Sequence, residues 1–155
     1  MKINTLVFPL DRPNNRVLLG FKKQGFGAGR FVGVGGKLEP GETVAQAAVR
    51  ELREETGLYA KPQNLWHMVY LEFAFPARPE WHRQVHGFRL EYWDGEPEES
   101  DELRPEWFEL GAVPYDRMWD DSRLWLPRAL RGQKVRMRIT YAEDSQTVAE
   151  AVELE

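Results

Sequence analysis

One segment limits the possible folds more than any other. Residues 43–55 carry Val44, Ala45, Ala48, Val49 and Leu52 at helical spacing, with both a start and a stop marked. Thr43 followed by Gln46 is a capping-box pattern, Pro40-Gly41 forces a turn ahead of it, and Gly57 is placed to end the helix. The chain on either side reads mostly as strand, so this amphipathic helix must lay its apolar stripe on a sheet. Residues 3–10 and 16–21 are β-prone runs joined by Asp-Arg-Pro-Asn-Asn, which predicts a hairpin. Residues 65–75 and 84–93 predict two further strands, and 107–110 a short third. Residues 121–130 predict a second helix, which Pro127 threatens to cut back to its first turn. In the tail, Val135, Met137, Ile139 and Tyr141 alternate with polar residues, and a returning strand through TVAEAVELE is favoured over a short helix. No repeat or linker interrupts this order, so residues 1–155 are expected to form one α+β domain.

The helix carries an unusual charge pattern. At about 100° per residue, Glu51, Glu54 and Glu55 fall on one sector beside the apolar face. Glu51 meets Glu54 at i+3 and Glu55 at i+4, and like charges so spaced destabilise a helix by a few tenths of a kcal/mol. Two compensations are open. A hard divalent cation would use these oxygens and complete its shell from water and substrate phosphates. Alternatively, Arg50 and Arg53 neutralise the cluster as surface ion pairs. The chain has no cysteine, so neither a disulfide nor a thiolate metal site exists, and any metal must be held by oxygen or His. A net charge of −4 supplies no general field for long DNA or RNA, so a phosphate ligand would need local cations. No apolar run approaches a bilayer-spanning length and the N-terminal stretch lacks the features of a secretory signal, which together predict a cytoplasmic protein with no membrane partner. Six Trp, eight Phe and five Tyr could furnish both a core and a stacking surface for a flat ring.

Read from Gly36, the segment GKLEPGETVAQAAVRELREETGL resembles the Nudix box at every defining position. The resemblance implies an α/β/α sandwich with a mixed sheet, and hydrolysis of a phosphoanhydride in a nucleoside diphosphate linked to another group. It implies that Glu51, Glu54, Glu55 and the Gly36 carbonyl hold Mg²⁺, or Mn²⁺ in its place, and that Arg50 orients the glutamates by charge-assisted hydrogen bonds. Glu42 is expected to organise the loop before the helix, and Gly35-Gly36 to let the backbone approach metal and phosphates without a Cβ in the way.

Outside the box, residues 20–30, 99–108 and 118–122 are similar to the MutT-related branch of that family that hydrolyses oxidised purine nucleoside triphosphates. Carried across, the similarity implies that Thr5, Lys22 and Phe26 line a nucleotide pocket, that Trp119 stacks on a purine, and that Asp120 and Asp121 address its edge. Glu102 matches a glutamate that joins the metal site or serves as base. Each role has a plainer competitor: core packing for Trp119, a helix N-cap for one aspartate, and a solvated loop acid for Glu102. Val32 is a departure, because it stands where these relatives have an asparagine reading the base, and it shapes the pocket without hydrogen bonding. The expected activity is Mg²⁺-dependent conversion of a purine nucleoside triphosphate, ordinary or 8-oxo-dGTP-like, to the monophosphate and pyrophosphate by a monomer, as in nucleotide-pool sanitation. The alternatives are a dinucleoside polyphosphate, nucleotide sugar or capped RNA as substrate, or a nucleotide-binding module without turnover.

Overall fold

The computed structural model describes residues 2–155. The chain opens with β1 (Lys2–Asp11) and β2 (Arg16–Lys22), joined by a turn in which the Asn15 N–H donates to the Arg12 carbonyl at 3.0 Å. Asn15 adopts φ 52°, a left-handed conformation that asparagine tolerates better than most residues. The hairpin is paired only at its turn, through Leu10 with Val17 and Asp11 with Arg16. Beyond it β1 runs parallel to β5 (Arg83–Leu90) from Lys2 to Pro9, while β2 pairs with β3 (Phe31–Val32) and β6 (Leu103–Glu109). β4 (Leu65–Ala74) lies antiparallel to β5 and parallel to β7 (Val135–Tyr141), and β8 (Val148–Glu153) closes the edge antiparallel to β7. The sheet is therefore mixed, as expected, in the order β3-β2-β1-β5-β4-β7-β8 with β6 on β2.

Strand alternation assigns the helices to opposite faces. Val7, Leu18, Phe88 and Leu90 pack with Ala48 and Leu52 of α1 (Val44–Thr56). Their neighbours Phe8, Val17 and Leu19, together with Val85, pack with Trp125, Leu126, Ala129 and Leu130 of α2 (Ser122–Leu130). The result is an α/β/α arrangement in an α+β fold. Pro127 does not stop α2 at its first turn. Proline removes one helical N–H at a cost of about 3 kcal/mol in a helix interior, but the bond forgone is to the carbonyl of Arg123, on the exposed side, while four apolar residues of this helix are buried below. The third strand begins earlier than its aromatic residues indicate, because Leu103 and Pro105 continue the pairing along β2. The returning strand in the tail forms as expected. Among the described residues no helix is long and apolar enough to cross a membrane.

Candidate active site

The site is built on α1. Thr43 Oγ1 accepts the Gln46 N–H at 3.1 Å, Gln46 Oε1 accepts the Thr43 N–H at 2.9 Å, and Gly57 ends the helix. Leu52 is fully buried and fixes the rotation of the helix on the sheet, which turns Glu55 inward at 5% exposure and leaves the Glu54 side chain 57% exposed. Glu55 Oε1 accepts the Gly35 N–H at 3.1 Å. Glu51 lies against Gly36 so closely that a Cβ there would sit 2.5 Å from its carboxylate carbon. At Gly35 a Cβ would meet the Thr5 carbonyl oxygen at 1.8 Å, so both glycines are required for this approach. The loop is pinned to β1 by the Thr5 N–H, which donates to the Gly36 carbonyl at 2.8 Å.

Arg50 organises the acids. Its Nε and Nη2 donate to the Glu42 carboxylate at 2.7 and 2.9 Å, its Nη1 reaches Glu51 at 2.9 Å and Glu54 at 3.3 Å, and Nη2 also donates to the Lys37 carbonyl at 3.0 Å. Glu42 further accepts the Glu39 N–H at 2.9 Å, which makes it part of the loop's structure. Burial pushes the Glu55 carboxyl up to about 8, with the Glu51 charge adding to the effect and Lys22 opposing it. Burial likewise raises Glu51, against its bond to Arg50, and lowers Lys22. Glu102 is exposed and is tied by its backbone next to Lys22, its carbonyl accepting the Lys23 N–H at 2.9 Å, and its charge is felt at Glu51, Glu55 and Lys22.

Among the described residues no three acidic side chains already converge on one point, because Arg50 holds Glu51 and Glu54 to itself. The chemistry nevertheless fits a hard divalent cation. All donors are oxygens, and the buried Glu55 carboxylate has a single backbone donor and, besides Lys22, the like charges of Glu51 and Glu102 acting on it, a situation that a cation relieves.

A cleft runs from these acids into an aromatic end. Thr5, Lys22, Gly35, Gly36 and Glu55 border one part, Phe26, Trp119 and Asp121 the other, and Val32 also lines the cleft. Phe26 stacks on Trp119 with ring centroids 5.0 Å apart, and the Arg30 guanidinium lies 4.0 Å from the Trp119 ring centre. A purine stacking on Trp119 must therefore displace one of these two groups. The two aspartates diverge. Asp121 is 2% exposed and accepts bonds from Trp125 Nε1 at 2.6 Å and from the Tyr141 hydroxyl; it occupies the N-cap position of α2 without making a capping bond. Asp120 lies outside the cleft, where its carboxylate accepts the Val148 N–H at 2.9 Å and faces Arg123 at 3.3 Å.

Two polar residues of the cleft escaped the sequence reading. Arg83, at the start of β5, is 3% exposed, and Asn4 of β1 has a buried side-chain oxygen. The signal was present in the period of two: Arg83 shares a face with Val85, and Asn4 with Leu6 and Phe8.

Residues 2–129 match the NUDIX domain family. The chain is 45% identical over 133 residues to the oxidized purine nucleoside triphosphate hydrolase of Danio rerio, which covers 86% of this chain and 82% of the relative, and 43% identical to the Mus musculus protein of the same name at the same coverage. It is 42% identical over 82 residues to the 8-oxo-dGTP diphosphatase of Escherichia coli K12, covering 53% of this chain and 60% of that one. Among solved structures it is similar to a mutator MutT protein from Bacillus halodurans, with TM-score 0.84 at 22% identity over 98% of this chain and 97% of that one. With the loop-helix unit intact and the match spanning most of the sequence, the chain belongs to the Nudix family.

Proposed function

We propose that the protein is a Mg²⁺-dependent purine nucleoside triphosphate pyrophosphohydrolase that yields a monophosphate and pyrophosphate and removes oxidised purine nucleotides from the pool. The observation that carries this reading is the continuity of one cleft, with Glu55, Lys22 and the Gly35-Gly36 backbone at one end and the Phe26-Trp119 stack at the other. A phosphate chain and a flat heterocycle would be accommodated together. The similarity to oxidized purine nucleoside triphosphate hydrolases over most of both chains supports the substrate class.

In this reading Glu51, Glu54, Glu55 and the Gly36 carbonyl hold Mg²⁺, with Glu102 close by. When bound there, the ion would supply charge neutralisation on the phosphates and a lowered pKa for an attacking water. Arg50 keeps Glu51 and Glu54 within reach of each other, and its fork on Glu42 fixes its own position. Lys22, which lines the cleft and whose charge reaches Glu55, would meet the phosphates, and Thr5 holds the Gly36 loop in register with β1. Phe26, Val32 and Trp119 enclose the base, and Asp121 closes the pocket through its bonds to Trp125 and Tyr141. Asp120 acts outside the pocket, tying α2 to β8.

Hydrolysis of 8-oxo-dGTP with and without chelator, in the native protein and in Glu54→Gln and Glu55→Gln, tests this reading. Glutamine at 55 keeps an acceptor for the Gly35 N–H, so the fold should persist while kcat falls by at least about 100-fold. Full activity in chelator, or in both variants, contradicts the mechanism.

A further inference from the structure

Arg83 is a buried cation that no carboxylate among the described residues neutralises. Buried cations are ordinarily paired. Its one hydrogen bond runs from Nε to the Trp81 carbonyl at 2.8 Å, and Nη1 is buried without an acceptor. Arg89, also buried with unpartnered nitrogens, differs in having Glu91 at 3.4 Å. Burial alone brings the Arg83 pKa down to about 10, so the side chain keeps its charge at neutral pH. An uncompensated buried donor destabilises a fold, and its retention in a cleft points to a ligand.

Position and chemistry narrow that ligand. The Arg83 guanidinium lies 3.6 Å from the centre of the Phe26 ring, which itself stacks on Trp119, so Arg83 stands against the heterocycle end of the cleft, with its charge also reaching Lys22. A guanidinium only donates, so it attracts a carbonyl oxygen and repels an exocyclic amino group. Asn4 lies on the neighbouring strand β1, borders the same cleft, and has its Oδ1 buried without a partner. One unmatched donor and one unmatched acceptor complement a ring that carries a carbonyl next to an N–H.

We propose that Arg83 and Asn4 read a lactam edge of the purine, Arg83 donating to the carbonyl oxygen and Asn4 Oδ1 accepting the adjacent ring N–H. This rests on the reading of the cleft as a purine triphosphate site and assigns its base specificity. Guanine has such an edge at N1–C6, an 8-oxopurine has one at N7–C8, and ordinary adenine has neither. The pair thereby takes over polar recognition that Val32 cannot provide.

The test uses dATP, dGTP, 8-oxo-dATP and 8-oxo-dGTP, which carry the lactam at neither position, at C6, at C8 and at both. kcat/KM and equilibrium binding are measured for the native protein, Arg83→Met and Asn4→Leu. The native protein is expected to prefer lactam-bearing bases over dATP, and Arg83→Met to shrink that ratio about tenfold or more, the scale of losing a bonded polar group in a binding site. Loss confined to dGTP and 8-oxo-dGTP assigns the edge to C6; loss confined to the two 8-oxo nucleotides assigns it to C8. A uniform loss across all four substrates, or unchanged ratios, overturns the proposal. If Arg83→Met does not fold, Arg83→Lys, which keeps the charge but not the planar fork, is expected to lower the same ratio. Binding separates this inference from the activity: Arg83-dependent preference without hydrolysis by the native protein refutes the proposed reaction alone, whereas hydrolysis with unchanged ratios refutes the role of Arg83 alone.

Discussion

Asp120 and Asp121 are adjacent in sequence, yet one ties down an edge strand and the other is enclosed under the cleft. Each has a partner close in sequence, Arg123 for Asp120 and Trp125 for Asp121, but the second partner comes from far along the chain: Val148, 28 positions on, for Asp120, and Tyr141, 20 positions on, for Asp121. Burial raises the Asp121 carboxyl above its usual range despite the donors from Trp125 and Tyr141. The native state therefore binds this proton more tightly than the unfolded chain, and the associated stability is present in acid and lost as pH rises through the folded-state pKa. Asp121→Asn abolishes that dependence. Denaturant titrations should show its stability relative to the native protein improving from about pH 4, the usual carboxylate range, toward neutrality; a gap that stays constant with pH contradicts an upward shift of Asp121. Val32 belongs to the same scale. It borders the cleft without a hydrogen-bonding group, and Val32→Asn is expected to change the ratio of kcat/KM for 8-oxo-dGTP over dGTP by roughly 10-fold or more, since a bonded polar group discriminates more strongly than an apolar wall. An unchanged ratio would remove Val32 as a determinant and leave discrimination to the other residues of the cleft.

Among the elements, α1 was legible in full because every signal that makes it is local: Thr43 and Gln46 bond each other, Gly57 closes it, and its apolar stripe needs only a sheet to meet. The parallel pairing of β1 with β5 was not legible, since register between strands some 80 residues apart is set by packing on both faces. The same gap hid Arg83 and Asn4, each of which looks like an ordinary polar residue at the end of a strand until its neighbours show that it points inward. Pro127 misled for a related reason, because tertiary burial of α2 outweighs a local penalty. The cap of α1 has a measurable share in the fold. Thr43→Ala should lower unfolding stability by about 1 kcal/mol while leaving KM unchanged, because Thr43 is outside the cleft. A change below about 0.3 kcal/mol in a urea titration would mean, given the usual range for caps, that the loop holds the helix start without it.

At the scale of the molecule, the sheet brings two chemistries into one cleft. The α1 end gathers acids whose mutual repulsion and burial ask for a cation, and the opposite end gathers flat rings with unmatched polar groups. Glu51, Glu54 and Glu55 were legible as a group because one helix carries all three. The base end was legible only in part, because it draws on β1, the segment between β2 and β3, β4, β5 and the segment before α2, which come together only on folding. The most direct test of the proposed reaction is product identification by ion-exchange chromatography after incubation of a purine triphosphate with the native protein and Mg²⁺. Nucleoside monophosphate and pyrophosphate are expected in equal amounts, with neither formed in chelator. Release of orthophosphate with nucleoside diphosphate, or product formation that persists without a divalent ion, would contradict it.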